Sequence, residues 1–126
     1  EGEADAQGEQ VRCFSVDDLA DHVGAEQFDL IKMDVEGLEI PTIRGAKRIM
    51  GEHSPIIFYE FKEGATVHLD LVDAFAELGY DSYYFSPGRN ALIRYQKGES
   101  LDPFLLNMIA VRPDSLERFE GIVPVL

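Results

Sequence analysis

The stretch Phe28-Asp29-Leu30-Ile31-Lys32-Met33-Asp34-Val35, followed by Glu36-Gly37-Leu38-Glu39, decides how the chain folds. A dense apolar run with a charge near its end predicts a buried, parallel strand over 28–35. Gly37 breaks that strand. Alternate residues of a strand share a face, so Leu30, Lys32 and Asp34 line one side and Ile31, Met33 and Val35 the other. Asp34 falls at the carboxyl end, just before a glycine-broken turn into a helix. Open α/β sheets bind ligands outside the carboxyl ends of their strands, which places Asp34 and Glu36 where a ligand would sit.

Working outward, Pro41 fits the first turn of the next helix, whose apolar stripe is Ile43, Ala46, Ile49 and Met50 and which Gly51 ends. Pro55 to Phe61 predicts a second buried strand, with proline at its first position. Residues 66–78 predict another helix, with His68, Leu71, Val72, Phe75 and Leu78 on one face, stopped at Gly79. Strands follow at Tyr80–Phe85, Ala91–Gln96 and Phe104–Arg112, with a turn at 86–90 and one helical turn at Ser115–Phe119. Upstream, Val11–Phe14 reads as a short strand. Ser15-Val16-Asp17-Asp18 resembles a capping box that opens a helix ending at Gly24. Residues 1–10 carry little that can pack and read as a disordered acidic tail, leaving 11–126 as the folded part.

Strands alternating with helices imply right-handed crossovers and a mainly parallel sheet; the closing strands imply an antiparallel edge. The fold class expected is α/β, half or more of a doubly wound sheet with flanking helices.

Composition narrows the function. A net charge of −13 repels phosphate backbones and anionic membranes, so neither nucleic acid nor a membrane is an expected partner. No apolar run reaches the ~18 residues a membrane helix needs. Cys13 is the single cysteine, which excludes an internal disulfide and a cysteine-rich metal site; it reads as a small apolar filler and suits a reducing, cytoplasmic setting. His22, His53 and His68 have no ligand spacing, and no G-x-S-x-G, P-loop or G-x-G-x-x-G occurs.

Carboxylates remain. Ile56, Phe58 and Glu60 share a strand face, with Glu60 at the carboxyl end. If the two strands are neighbours, Asp34 and Glu60 meet on one rim. There they could hold a metal through oxygen ligands, or one could act as general base towards a substrate hydroxyl. Glu39, in a helix's first turn, suits the helix dipole. Arg44, Lys47 and Arg48 read as a solvated helix face, and Tyr59, Tyr80, Tyr83, Tyr84 and Phe85 mostly as core.

These residues resemble a known family. Asp29 to Glu39 with Ile43-Arg44-Gly45-Ala46 is similar to the signature of FkbM-type methyltransferases, D-x-I-K-x-D-x-E-G-x-E and then Ile or Leu, a basic residue, Gly and Ala. Pro55 to Glu60 resembles the family's next strand, Leu78-Gly79-Tyr80 its helix exit, and Phe14 to Leu19 its T-L-D-D-L segment. The resemblance covers residues 11 to about 85 in order. It implies a Rossmann-like class I domain that moves a methyl group from S-adenosylmethionine to a hydroxyl, commonly of a sugar or other natural product. By that analogy Asp34 and Glu36 lie by the cofactor, and Asp34 and Glu60 serve catalysis; no metal is implied.

The family's D-x-G-A-N-x-G loop is not in this sequence, so the chain reads as the C-terminal half of that domain. Its sheet edge would then be covered by a missing N-terminal half, or would pair with a second copy. The alternative function is a non-catalytic α/β module that dimerises or binds a partner through that edge; size-exclusion mass separates self-pairing from a monomer. The 126-residue chain is expected to bind S-adenosylmethionine poorly or not at all. Isothermal calorimetry tests this, and micromolar binding would refute it.

Overall fold

The structure, a computed structural model, describes residues 8–126. The expected acidic tail lies largely outside the described residues; Gly8 to Gln10 are exposed and irregular. The elements run α1 (Val16–Val23), β1 (Leu30–Met33), α2 (Glu39–Arg44), α3 (Lys47–His53), β2 (Ile56–Glu60), β3 (Lys62–Glu63), β4 (Thr66–Val67), α4 (Leu69–Glu77), β5 (Asp81–Ser86), β6 (Ala91–Arg94), β7 (Asn107–Val111) and a 3-10 helix (Pro113–Phe119). Five strands form one sheet in the order β1-β2-β7-β5-β6, and β3 and β4 form a separate hairpin.

The sheet is mixed, not mainly parallel. Among the strands just named, β1 and β2 are the one parallel pair, and β7 enters antiparallel between β2 and β5. Since β7 opposes both, β1, β2 and β5 still point the same way, as the strand-helix alternation requires. The correction arises because β7, last in the chain, takes a central position rather than an edge.

One face of the sheet carries Met33, Ile57, Tyr59, Met108 and Ala110. It packs on Ile43, Ala46 and Met50 of the α2–α3 segment and on Leu71 and Phe75 of α4. The rings of Tyr59 and Phe75 lie 4.7 Å apart in a tilted pair, and Phe75 and Tyr80 lie 6.3 Å apart. Opposite, Tyr83, Leu92 and Val111 lie beneath Leu116, Phe119, Val123 and Val125. The tail also bridges to Leu92 through Val125, with Leu92 N–H donating to Pro124 O at 2.9 Å and Leu126 N–H to Leu92 O at 2.9 Å. Thus β6 is covered along part of its outer side, while β1 pairs on one side only.

Several expectations need correction. Val11 to Phe14 forms no strand: it is exposed coil with no strand beside it to complete a ladder, and Cys13 is exposed rather than filling a gap. The run 28–35 is not buried on both faces, because β1 is the sheet edge and Leu30 is 64% exposed. Residues 66 and 67 join a hairpin turning at Gly64 (φ +56°) before α4 begins.

The helix expected from Pro41 to Gly51 is two helices, broken at Gly45-Ala46, with Gly51 inside the second. The break has a cause. A Cβ on Gly45 would stand 3.0 Å from the Ser15 Cβ, tighter than an ordinary contact, so glycine eases this approach. Asp17 N–H donates to Gly45 O at 2.9 Å. The Asp17 carboxylate then accepts the Arg48 and Ile49 N–H groups, each at 3.0 Å. Ala46 offers α3 no side-chain cap, so a residue 31 positions away supplies one. Arg48, far from being only a solvated face, donates to Asp17 O at 2.9 Å and to Asp21 Oδ1 at 2.7 Å. α1 itself follows its sequence signal: Ser15 Oγ accepts the Asp18 N–H at 3.0 Å, and Gly24 closes the helix at φ +65°.

Asp17→Ala is expected to lower the unfolding free energy by about 1–2 kcal/mol, the scale of a lost cap. Urea denaturation reads it as a lower midpoint at unchanged slope; an unchanged midpoint would show that water replaces the carboxylate. The buried tyrosines set a second expectation. Burial pushes the Tyr59 phenol up, against a partial lowering by its 2.8 Å hydrogen bond with Ser82. Burial also pushes Tyr80 up to about 12, although Arg112 and Arg118 pull it down. A raised folded-state value means stability is intact below the free phenol's ~10 and is lost as pH rises through about 12. Urea midpoints should fall between pH 10 and pH 12, and less steeply in Tyr80→Phe; equal slopes for the two proteins would contradict this.

Candidate functional site

The carboxyl ends of β1 and β2 define the rim. Their ladder pairs Lys32 with Phe58 and Met33 with Tyr59, so Asp34 and Glu60 leave adjacent strands at the same level. This is the neighbourhood the strand faces implied. Glu60 in turn pairs with Asn107 of β7. Asn107 was not singled out from the sequence, since nothing in its own segment shows that β7 inserts beside β2.

Asp34 and Glu60 differ in surroundings. Lys32, two residues before Asp34 on the same face, donates to Asp34 Oδ2 at 3.1 Å. Glu60 is half-buried and takes part in no ion pair among the described residues. The rim therefore holds one carboxylate with its charge partly offset and one without a cationic partner.

Glu36 lies just outside, in the turn that follows β1. Its φ of +47° and the +92° of Gly37 are left-handed, and Leu38 N–H closes the turn on Val35 O at 3.2 Å. Left-handed backbone at a residue other than glycine is strained, on the order of 1 kcal/mol or more. Ser54 and Asn90 share that geometry, but Ser54 ends a helix and Asn90 sits in a hairpin turn, whereas Glu36 stands at the strand-end rim. Glu39 follows in the first turn of α2. It is only 8% exposed, more enclosed than a residue serving a helix dipole needs to be.

The metal reading loses its footing here. Among the described residues no three His, Cys, Asp or Glu side chains gather as ligands, so Asp34, Glu36 and Glu60 do not form a chelating set. The histidines are dispersed. His22 stacks on Phe14 at 5.8 Å, His53 accepts the Phe28 N–H at 3.2 Å through Nδ1, and His68 lies 3.9 Å from Glu63.

On the same sheet face, Phe58, Phe85, Phe104, Leu106, Asn107 and Ile109 border an open cleft of about 300 Å³. A larger cleft, about 610 Å³, lies within the C-terminal segment between Leu116 and Val125, away from the rim. Among the described residues no helix is long and apolar enough to cross a membrane.

Asp34 and Glu60 thus sit at neighbouring strand ends, with the left-handed turn at Glu36 close behind Asp34. The family model described as the methyltransferase FkbM domain matches residues 1–82, and the chain belongs to that methyltransferase family. The matched region contains Asp34, Glu36, Glu60 and the elements up to the start of β5. No curated protein and no solved structure matches the chain.

Proposed function

We propose that this chain supplies the acceptor side of an S-adenosylmethionine-dependent O-methyltransferase, acting on a hydroxyl of a small molecule or glycan. The observation that carries the reading is the pair Asp34 and Glu60, side by side at the carboxyl ends of parallel strands inside the family-matched segment. The common direction of β1, β2 and β5, with α2, α3 and α4 against one face, supports a Rossmann-like class I sheet.

The donor set suits the cationic part of S-adenosylmethionine. Asp34, Glu36 and Glu60 make the rim acidic, and a carboxylate favours a sulfonium or an ammonium group nearby. Asp34 and Glu36 would hold that part; the 126 residues contain no glycine-rich loop for the nucleotide part. When bound, the cofactor would supply an electrophilic methyl carbon and a neutral thioether leaving group.

The chain's own residues do the rest. An acceptor hydroxyl at the rim would donate its hydrogen bond to Glu60, whose carboxylate has no ion pair among the described residues and would take the proton. Asp34, held by Lys32, keeps a fixed negative charge beside it. Alignment of the hydroxyl oxygen with the methyl carbon is the larger share of the rate, as in other displacements between bound partners.

Glu60→Gln is expected to lower the methyl-transfer rate by about 10²–10⁴-fold with the circular-dichroism spectrum unchanged. Asp34→Asn should act in the same direction. The measurement is incorporation of labelled methyl into hydroxyl acceptors, at S-adenosylmethionine concentrations high enough to offset the weak binding expected of this chain. A Glu60→Gln protein that transfers methyl at the unsubstituted rate would end the proposal.

A further inference from the structure

The open cleft beside the rim is apolar in an unusual way. Phe104 is 87% exposed and Phe85 44%, yet both stand with Phe58 around one concavity of about 300 Å³. A second cleft of about 290 Å³ shares Phe85 and Phe104 and runs on towards Ser86 and Pro87. Exposed aromatics gathered in one patch mark a binding surface more often than scattered ones do.

Phe104 is not exposed through slack in its loop. Phe104 N–H donates to Asp102 Oδ1 at 2.8 Å and Leu105 N–H to Asp102 O at 3.0 Å. Leu106 O accepts from Phe61 N–H at 2.7 Å and from Lys62 N–H at 3.2 Å. Lys62 Nζ also donates to Pro103 O. The backbone on both sides of Phe104 is tied to the strand end at Glu60, so the ring is presented to solvent from a braced support.

The cleft is continuous with the proposed chemistry. Phe58 precedes Glu60 by two residues on the same strand face, about 7 Å along the strand. Asn107, a cleft residue, is the register partner of Glu60. Among the residues that border this cleft, Asn107 alone has a polar side chain. A polyhydroxylated ligand would need many more hydrogen-bond partners than that. A flat ring with apolar faces and one hydroxyl matches the surface: its faces lie on phenylalanine rings, and its hydroxyl reaches the polar end at Asn107 and Glu60.

We infer that Phe58, Phe85 and Phe104 form the acceptor subsite and select a hydroxylated ring with an apolar face; this rests on the methyl-transfer reading for its role, though not for its binding. A volume of about 300 Å³ accommodates a fused two-ring compound.

The probe is 2-naphthol, with methyl glucoside as the polyhydroxylated comparison, and binding is measured by saturation-transfer NMR on the full chain. The unsubstituted protein should bind 2-naphthol and bind the glucoside far more weakly. Phe104→Ala should weaken 2-naphthol by about tenfold, the scale of a lost aromatic contact, and Phe104→Tyr should restore it. Phe104 is largely outside the core, so these variants keep the fold. Ile122→Ser, in the C-terminal cleft, should leave binding unchanged. In transfer assays Phe104→Ala should raise KM for the naphthol and spare kcat. Absence of 2-naphthol binding, loss of it through Ile122→Ser instead, or indifference to Phe104→Ala would overturn the subsite. Phenylalanine-dependent binding without any methyl transfer, at S-adenosylmethionine concentrations that offset its weak binding, would uphold the subsite and remove the methyl-transfer reading; transfer with KM unchanged in Phe104→Ala would do the reverse.

Discussion

The insertion of β7 between β2 and β5 is the constraint on which the rest of the structure depends. Its Met108, Ala110 and Val111 are fully enclosed, and its ladders hold β2 on one side and β5 on the other. Without it, the two strands that flank α4 would stand a strand-width apart with unpaired backbone between them, which a packed sheet does not tolerate. β7 also carries Ala110 against one layer and Ile109 and Val111 against the other, so both cores close on a single element. The same strand brings Asn107 to the rim beside Glu60. Folding and site assembly thus share one late-arriving segment, and its pairings are long-range in sequence, the kind that form slowly because the intervening chain must be ordered first.

The helical layer is secured differently. α2 and α3 are too short to be stable alone. They hold because Ile43, Ala46, Ile49 and Met50 are buried as one stripe and because Asp17 reaches the first N–H groups of α3 from another helix. The consequence is a rigid link from α1, through Gly45, to the helix that follows the acidic turn.

Much of this could be read in the sequence, for reasons that differ by residue. The period-2 run around Lys32 and Asp34 and the matching run ending at Glu60 fixed the faces of β1 and β2, since alternation is a local property. Ser15 and Gly24 marked the ends of α1 by their own chemistry. The apolar stripe from Ile43 to Met50 was legible, but the break within it was not, because it depends on Ser15 approaching Gly45 from a distant segment. β7's position was invisible for the same reason: a strand's partners are a tertiary choice. So Asn107 and Phe104 carried no signal in their own stretches, whereas Phe58 read as sharing a face with Glu60 and Phe85 mostly as core. Leu30 read as buried because composition cannot distinguish a central strand from an edge.

The two margins of the sheet are unlike. Beyond β6, the chain from Pro124 to Leu126 lies along Leu92 and Arg94, and its proline has no N–H to offer a newcomer. Beyond β1 the ladder is open. The sheet therefore has a direction: among the described residues, strand addition is open at β1 and obstructed at β6. Pairing between two copies through β1 would use the more open margin of each. Open-ended stacking of copies needs two complementary open margins, and the tail along Leu92 and Arg94 obstructs one of them.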